Sequence, residues 1–241
     1  MHGILFALRW IRDLEQSGAA SIAVSWVNPM SASVLSIDTA YEPDLVLFAR
    51  GRMDLYREVG GQFSITTLGQ TAAERARVLR ALVRADAGDE PVRAIVVSSH
   101  GEPSRVLDDD SPDGTLLSLD MQEADLGRWA KGPAGGRLLY FCCCFTAKGP
   151  LFDRLMALGA AGVVGFTEEP FWSSTEGQRI WRDLDLEIVR SILNGQGTGA
   201  IARIRDHFLD RIAAARPSAG ERYAADLDRM KSTLQTMVIR G

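Results

Sequence analysis

Apolar runs alternate with amphipathic segments along the chain, and the runs predict strands. Two of them, VRAIVVSS at 92–99 and RLLYFCCC at 137–144, are almost continuously apolar, which is typical of strands buried on both faces of a sheet. Shorter runs predict further strands at 44–50, 62–69 and 161–166. The chain therefore offers enough buried strands to build one central sheet.

Between the runs, apolar residues recur at helical spacing. Val78 and Leu82 fall on one helical face, and a long helix is predicted to begin at a capping box formed by Ser173 and Glu176. Further helices are predicted from Thr198 onward. Strands that alternate with helices indicate an α/β protein with a mostly parallel sheet and helices on both of its faces.

The first 43 residues are harder to interpret. The segments 21–27 and 31–37 resemble two strands joined by a short turn. We interpret residues 1–43 as an N-terminal extension that packs on a main domain of residues 44–241.

Composition and charge exclude several classes of protein. The chain has no unbroken apolar run of about 18 residues, so no membrane-spanning helix is expected. The net charge of −4 argues against nucleic acid as a partner, since phosphate binding needs a clustered basic surface. The three cysteines are consecutive and cannot form a disulfide framework, which favours a reducing, cytoplasmic location. Neighbouring thiols on a strand point to alternating faces, so no metal site is expected there.

Two residues whose side chains can take part in catalysis stand at the ends of predicted strands. His100 follows the run at 92–99 and precedes Gly101, while Cys144 closes the run at 137–144. Ligands of parallel sheets bind beyond the carboxyl ends of the strands, so an imidazole and a thiol can meet there if the two strands are neighbours. A nearby imidazolium favours the reactive thiolate. The backbone amides of Gly101 and Cys144 can then bind an oxyanion. The alternative is that Cys144 is an ordinary buried cysteine of an apolar strand.

The same two segments resemble a known family. VVSSHGEP is similar to the His-Gly box of the caspase-like cysteine peptidases, and LLYFCCCFT is similar to their nucleophile box. The separation of 44 residues between His100 and Cys144 is close to the roughly 50 residues of caspases. Cys144-Phe145-Thr146 and LGAAGVVGFTEEPFW resemble the CHAT branch, which includes relatives of separase. The resemblance covers residues 44–195.

The resemblance implies a fold and a dyad. The fold would be a caspase-like three-layer sandwich. Cys144 would be the nucleophile and His100 the general base and acid, with Cys143 as the alternative nucleophile.

It also implies substrate contacts. Cys142 occupies the position where caspases carry Gln and metacaspases an Asp, so selection for a basic residue from that position is absent. Glu168, Glu169 and Trp172, just past the next strand, would line the substrate cleft, although solvated carboxylates and a loop anchor are the simpler interpretation.

The expected function is that of a cysteine endopeptidase. It would act on a polypeptide substrate through a thioester acyl-enzyme, without a metal or organic cofactor and as a single uncut chain. By its resemblance to the CHAT branch it would be a regulated bacterial protease of a defence or cell-death system, switched on by a protein partner. Two alternatives stay open: a catalytically inactive caspase-fold module that binds partners, and another thiol enzyme, such as an acyltransferase, that uses the same dyad.

Overall fold

A computed structural model gives the arrangement of most of the chain. The residues it describes are 23–25, 33–39, 43–59, 65–68, 75–88, 91–107, 114–170 and 173–241.

The described strands and helices follow one another in α/β fashion. The strands are β1 (Ala23–Ser25), β2 (Ser33–Asp38), β3 (Ile65–Leu68), β4 (Val92–Ser98), β5 (Gly101–Glu102), β6 (Arg105–Leu107), β7 (Thr115–Ser118), β8 (Lys131–Gly132), β9 (Gly135–Gly136), β10 (Leu138–Cys142), β11 (Gly162–Gly165) and β12 (Val238–Arg240). The helices are α1 (Pro43–Val59), α2 (Arg75–Asp86), α3 (Glu123–Ala130), α4 (Leu151–Ala157), α5 (Thr175–Leu193), α6 (Thr198–Ala215) and α7 (Glu221–Gln235), with a 3₁₀ turn at Arg216–Ser218.

The central sheet has the strand order β1-β3-β2-β4-β10-β11-β12. Its five inner strands are parallel, while β1 and β12 pair antiparallel at the two edges. The predicted α/β class, with a mostly parallel sheet and helices on both of its faces, is confirmed. Strands β4 and β10 are direct neighbours, and Cys142 pairs in register with Ser98. Their carboxyl ends therefore lie side by side.

Each face of the sheet carries its own apolar core. One core joins the sheet to α1, α5, α6 and α7, and the other joins it to α2, α3 and α4. Side chains along β10 and the residue that follows it alternate between the cores: Tyr140 and Cys142 pack with the first core, and Phe141 and Cys143 with the second. Successive cysteines thus point to opposite sides of the sheet.

One predicted strand is wrong. The segment 44–50 belongs to α1, a 17-residue helix. A short apolar run fits a buried strand and a buried helix equally well. Here Phe48, Arg52, Leu55 and Tyr56 fall on one helical face and are buried against the sheet, and this burial selects the helix.

Two further expectations need correction. Both N-terminal segments contain a strand, but β3 lies between β1 and β2, so they do not pair with each other. Strands β1 and β2, from the segment 1–43, belong to the central sheet. The residue that caps α5 is Ser174 and not Ser173, since Gly177 N donates to Ser174 Oγ at 3.0 Å.

The segment that follows β4 forms a small separate sheet. Strands β5, β6 and β7 pair antiparallel there. No helix in the described ranges is long and apolar enough to cross a membrane.

Candidate functional site

The loop after β4 carries His100 and is fixed by hydrogen bonds on two sides. The carbonyl oxygen of His100 accepts from Leu107 N at 3.0 Å, and Ser99 Oγ donates to the carbonyl oxygen of Leu107 at 2.6 Å. From the end of β2, Thr39 Oγ1 donates to Ser99 Oγ at 2.7 Å. The half-buried His100 is therefore held in place through its backbone by the neighbouring elements β2 and β6.

The loop after β10 carries Cys144 two residues beyond the end of the strand. Phe145 adopts a left-handed conformation with φ of 53°, which is costly for a residue with a side chain and turns the chain sharply after the cysteine. Thr146 Oγ1 donates to the carbonyl oxygen of Cys143 at 2.9 Å, and Ala147 N donates to that of Phe166 at 3.0 Å. The turn leaves Cys144 half-buried at the carboxyl edge of the sheet.

The two loops are in direct contact at Gly101. A Cβ atom at this position would overlap the carbonyl oxygen of Cys144 and would lie 3.1 Å from Cys143 Cβ. A side chain of any size is therefore excluded by backbone that cannot move easily. The glycine after the histidine allows the histidine-bearing and cysteine-bearing backbones to approach each other.

A second contact joins the same two loops farther along. Ser104, with a left-handed φ of 61°, donates from its Oγ to the carbonyl oxygen of Lys148 at 3.3 Å. A Cβ on Gly149 would overlap that hydroxyl group. Two separate contacts thus fix the relative position of the segments that carry His100 and Cys144.

The three cysteines stand in different environments. Cys143 is 1% exposed, and burial together with the neighbouring Cys144 thiol raises its pKa. Burial and the Asp185 carboxylate likewise raise the pKa of Cys142, against the opposing effect of Arg52. Both thiols therefore stay protonated and unreactive at neutral pH. Cys144 lies past the strand and outside both apolar cores, which makes it the better candidate for a nucleophile.

The other residues predicted at the site are dispersed. The side chain of Cys142 packs against the core beneath the loops. The carbonyl oxygen of Glu168 accepts from Phe145 N at 3.5 Å, while its carboxylate accepts from Ser232 Oγ at 3.1 Å. Glu169 is exposed. Trp172 lies outside the described residues.

The sequence interpretation missed a buried ionic network below the site. Arg52 in α1 donates from Nε and Nη2 to the two carboxylate oxygens of Asp185 in α5, at 2.7 and 2.5 Å, and from Nη1 to Asp38 at 3.1 Å. Tyr140 donates its hydroxyl hydrogen to Asp185 at 3.0 Å, and Ser36 donates to Asp38 at 2.9 Å. The three charged residues are at most 2% exposed.

This network ties the strands of the site to two helices. Asp38 ends β2 and pairs in register with Ser98 of β4, and Tyr140 lies in β10. Burial raises the pKa of Asp38, against the opposing effects of the Arg52 guanidinium and the Ser36 hydroxyl group. No motif reveals the network, since Arg52 and Asp185 are 133 residues apart. The sequence shows only that one member, Asp38, stands at the end of a strand.

Within the described ranges, no group of three or more His, Cys, Asp or Glu residues is placed to hold a metal ion.

Comparison with known proteins gives a distant likeness among solved structures. No protein-family model matches the chain, and no curated protein matches it. Among solved structures, the chain is similar to a secreted C11 cysteine protease from Bacteroides thetaiotaomicron, determined in complex with an irreversible peptide inhibitor. The two share 12% sequence identity with a TM-score of 0.43, over 58% of this chain and 50% of that chain.

Proposed function

We propose that the protein is a cysteine peptidase with Cys144 as nucleophile and His100 as general base and acid. The observation that carries the proposal is the contact of Gly101 with the backbone of Cys143 and Cys144 at the carboxyl ends of two adjacent parallel strands. It places an imidazole-bearing loop against a thiol-bearing loop, in the crevice where α/β proteins bind their ligands. The resemblance of both loops to the boxes of caspase-like peptidases supports the same roles.

The reaction would proceed through a thioester. The thiolate of Cys144 attacks the scissile carbonyl carbon, and the new oxyanion accepts hydrogen bonds from the backbone N–H groups of Gly101 and Cys144. The imidazolium of His100 donates its proton to the leaving amine as the C–N bond breaks. A water molecule, deprotonated by His100, then attacks the thioester, and the Cys144 thiolate leaves with release of the acid product.

The substrate would be a polypeptide bound along the same edge. The Glu168 backbone adjoins the cysteine loop through the Phe145 amide, which supports a role of the segment after β11 in substrate binding. In this proposal Glu168, Glu169 and Trp172 line the cleft, and a protein partner in a bacterial cytoplasm switches the enzyme on. Cys142 supports the site from below, because it ends the strand that leads to Cys144.

A peptide bearing a thiol-directed electrophile tests the proposal. Cys144→Ala should abolish covalent labelling, whereas Cys143→Ala should keep it, and the two substitutions differ only by one position. His100→Ala should slow labelling strongly by removing the group that stabilises the thiolate. Intact mass and tryptic mapping identify the modified residue, and a peptide library then defines the cleaved bond.

The outcomes separate the alternatives. Labelling of Cys144 that depends on His100, with cleavage of a peptide bond, supports the peptidase. Labelling with transfer of the acyl group to an amine in place of water would show an acyltransferase. Absence of labelling under every activating condition would contradict the proposal and favour a catalytically inactive module that binds partners.

A further inference from the structure

The solvent-facing side of α2 carries three arginines. Arg77, Arg80 and Arg84 are spaced as i, i+3 and i+7, so they fall within about 60° of the helix circumference. Val78 and Leu82 lie on the other side of the helix, where they are buried in the second core of the sheet. We call the three arginines the arginine face of α2.

The positive charge of this face is not neutralised from its own helix. The one acidic residue of α2, Asp86, accepts a hydrogen bond from the buried Arg137. Among the residues that the structure describes, no carboxylate pairs with an arginine of this face. Exposed arginines on neighbouring helices do have such partners: Arg128 pairs with Asp125, and Arg154 pairs with Glu123.

The helix beneath the arginines is firmly held. Arg75 Nε donates to the carbonyl oxygen of Thr115 in β7 at 3.0 Å, which fixes the start of α2. Along the helix, Val78 and Leu82 are completely buried. The guanidinium groups are therefore presented by a preformed helix, so a partner pays only for ordering their side chains.

An exposed valine lies beside the arginines. Val83 is 45% exposed, and it lies three residues beyond Arg80, so the two side chains are neighbours on the helix surface. Few large apolar side chains are this exposed in the described part of the chain. Arginine next to an accessible apolar residue is typical of protein–protein interfaces, in which arginine is enriched.

The same features argue against a lipid bilayer or a nucleic acid as the partner. Membrane-surface helices insert an apolar side, whereas the apolar side of α2 is buried against the sheet. Three cations on a chain of net charge −4 offer too few phosphate contacts for nucleic acid. A protein segment that carries carboxylates and an apolar residue complements both the charge and Val83.

The spacing of the arginines indicates the form of that segment. Successive members of the arginine face are about 4.5 and 6 Å apart along the helix axis. A second helix has the same rise, so carboxylates three and four residues apart on one side of it match the three guanidinium groups. Each guanidinium presents paired N–H donors that fit a carboxylate.

We propose that the arginine face of α2 binds an acidic helical segment of a partner protein. Three carboxylates of the segment accept hydrogen bonds from Arg77, Arg80 and Arg84, and an apolar residue of the segment packs on Val83. This interaction does not depend on the chemistry of the proposed dyad.

A designed peptide tests the arginine face. A fluorescent helical peptide of about 20 residues carries Glu at positions i, i+3 and i+7, with one Leu beside them. Its control peptide has Gln at the three Glu positions and the same Leu. Fluorescence anisotropy with the full chain should show about 10-fold tighter binding of the Glu peptide. High salt should reduce this difference, because exposed charge pairs are screened.

Variants of α2 assign the binding to this face. The triple variant Arg77→Gln, Arg80→Gln and Arg84→Gln should bind the two peptides equally. Glutamine is nearly as favourable in a helix as arginine, and far-UV circular dichroism checks that the variant is folded. The single variant Arg80→Gln, which changes one exposed side chain, should weaken binding of the Glu peptide about threefold.

A second triple variant controls for net charge. Arg190→Gln, Arg205→Gln and Arg216→Gln together remove the same three charges, but from arginines that already pair with carboxylates. This variant should retain the preference for the Glu peptide.

Val83→Ala tests the apolar contact. It should weaken binding of the Leu-containing Glu peptide about threefold, and it should not affect a Glu peptide with Ala in place of Leu.

The outcomes decide the proposal. Preference for the Glu peptide that the α2 triple variant loses and the control triple variant keeps supports it. Absence of binding, equal binding of the Glu and Gln peptides, or equal losses in the two triple variants would overturn it. Tighter binding of phosphatidylserine–phosphatidylcholine vesicles, or of an oligothymidylate, at equal anion concentration would overturn the choice of a protein segment. These measurements do not involve Cys144, so their failure leaves the peptidase proposal standing.

Discussion

The carbonyl oxygen of Cys144 lies so close to the Cα of Gly101 that no Cβ atom fits between them. This relationship joins two loops that are 43 residues apart in the chain and follow adjacent strands. Because both partners are backbone groups, the contact fixes the loops more firmly than a side-chain contact would. It is the feature on which the proposed chemistry depends most directly.

Gly101→Ala should damage both stability and reactivity. The added methyl group meets backbone at Cys144, so the loops must separate, at a cost of about 1–3 kcal/mol of unfolding free energy. Displacement of the proposed dyad should slow labelling of Cys144 by ~100-fold. Urea unfolding and labelling rates measure the two effects.

Gly127→Ala is the matched control for this substitution. A Cβ on Gly127 would meet nothing within 4 Å, and the residue lies inside α3. Alanine favours a helix by up to about 1 kcal/mol over glycine, so this variant should be at least as stable as the wild type and should react normally. A Gly101→Ala protein with wild-type stability and reactivity would show that the contact between Gly101 and the Cys144 backbone does not hold the two loops in place.

The three adjacent thiols should differ in reactivity. Burial raises the pKa of Cys142 and Cys143, so their thiolates are rare at neutral pH. Cys144, half-buried and beyond the strand, should be alkylated by iodoacetamide at least ~10-fold faster in the folded protein. Mass mapping of the modified peptide resolves the three positions after proteolysis. In urea the three rates should converge, and preferential alkylation of Cys143 in the folded state would point to the alternative nucleophile.

Arg52→Met should destabilise the fold severely. The substitution leaves the carboxylates of Asp38 and Asp185 buried without their cation, which costs about 3–5 kcal/mol. Both chemical and thermal unfolding should show that this variant is less stable than the wild type. Arg190→Gln, which breaks the exposed pair with Glu58, should cost no more than about 1 kcal/mol. Similar losses in the two variants would show that the buried network does not hold the sheet to α1 and α5.

Asp226→Asn should destabilise the protein in a pH-dependent manner. The Asp226 carboxylate accepts four hydrogen bonds, from the backbone N–H and hydroxyl groups of Ser173 and Ser174, at 2.5–2.8 Å. Burial raises the pKa of Asp226, but these bonds outweigh burial and hold it below the usual 3.8. Its stabilisation is therefore complete above that usual value and is lost as the pH falls through the lower pKa of the native state.

The measurement is the difference in unfolding free energy between wild type and Asp226→Asn. It should be about 1–3 kcal/mol near pH 7 and should shrink below pH 3.8. Asp228→Asn is a control on the same helix, because Asp228 pairs with Arg216 in solvent. It should show a smaller difference. A pH-independent loss in Asp226→Asn would contradict the role of its charge.

The positions of His100 and Cys144 could be anticipated because the relevant signal is local. Continuous apolar runs identify β4 and β10 as strands buried on both faces, and the residues that follow a run lie at the carboxyl edge of a parallel sheet. The helices with strong apolar periodicity were predicted for the same reason. The run at 44–50 failed as a strand because seven apolar-rich residues do not distinguish a strand from the buried turns of a helix.

The sequence by itself determined the fold class, the two strands that carry the proposed dyad and the position of Gly101 directly after His100. These depend on the spacing of residues that are near one another in the chain. The tertiary structure alone decided that β3 separates β1 from β2 and that Arg52 joins Asp38 to Asp185. Each of these depends on which distant segments pack together. Burial and charge pairing across the sheet select that packing, and they leave no pattern in the local order of residues.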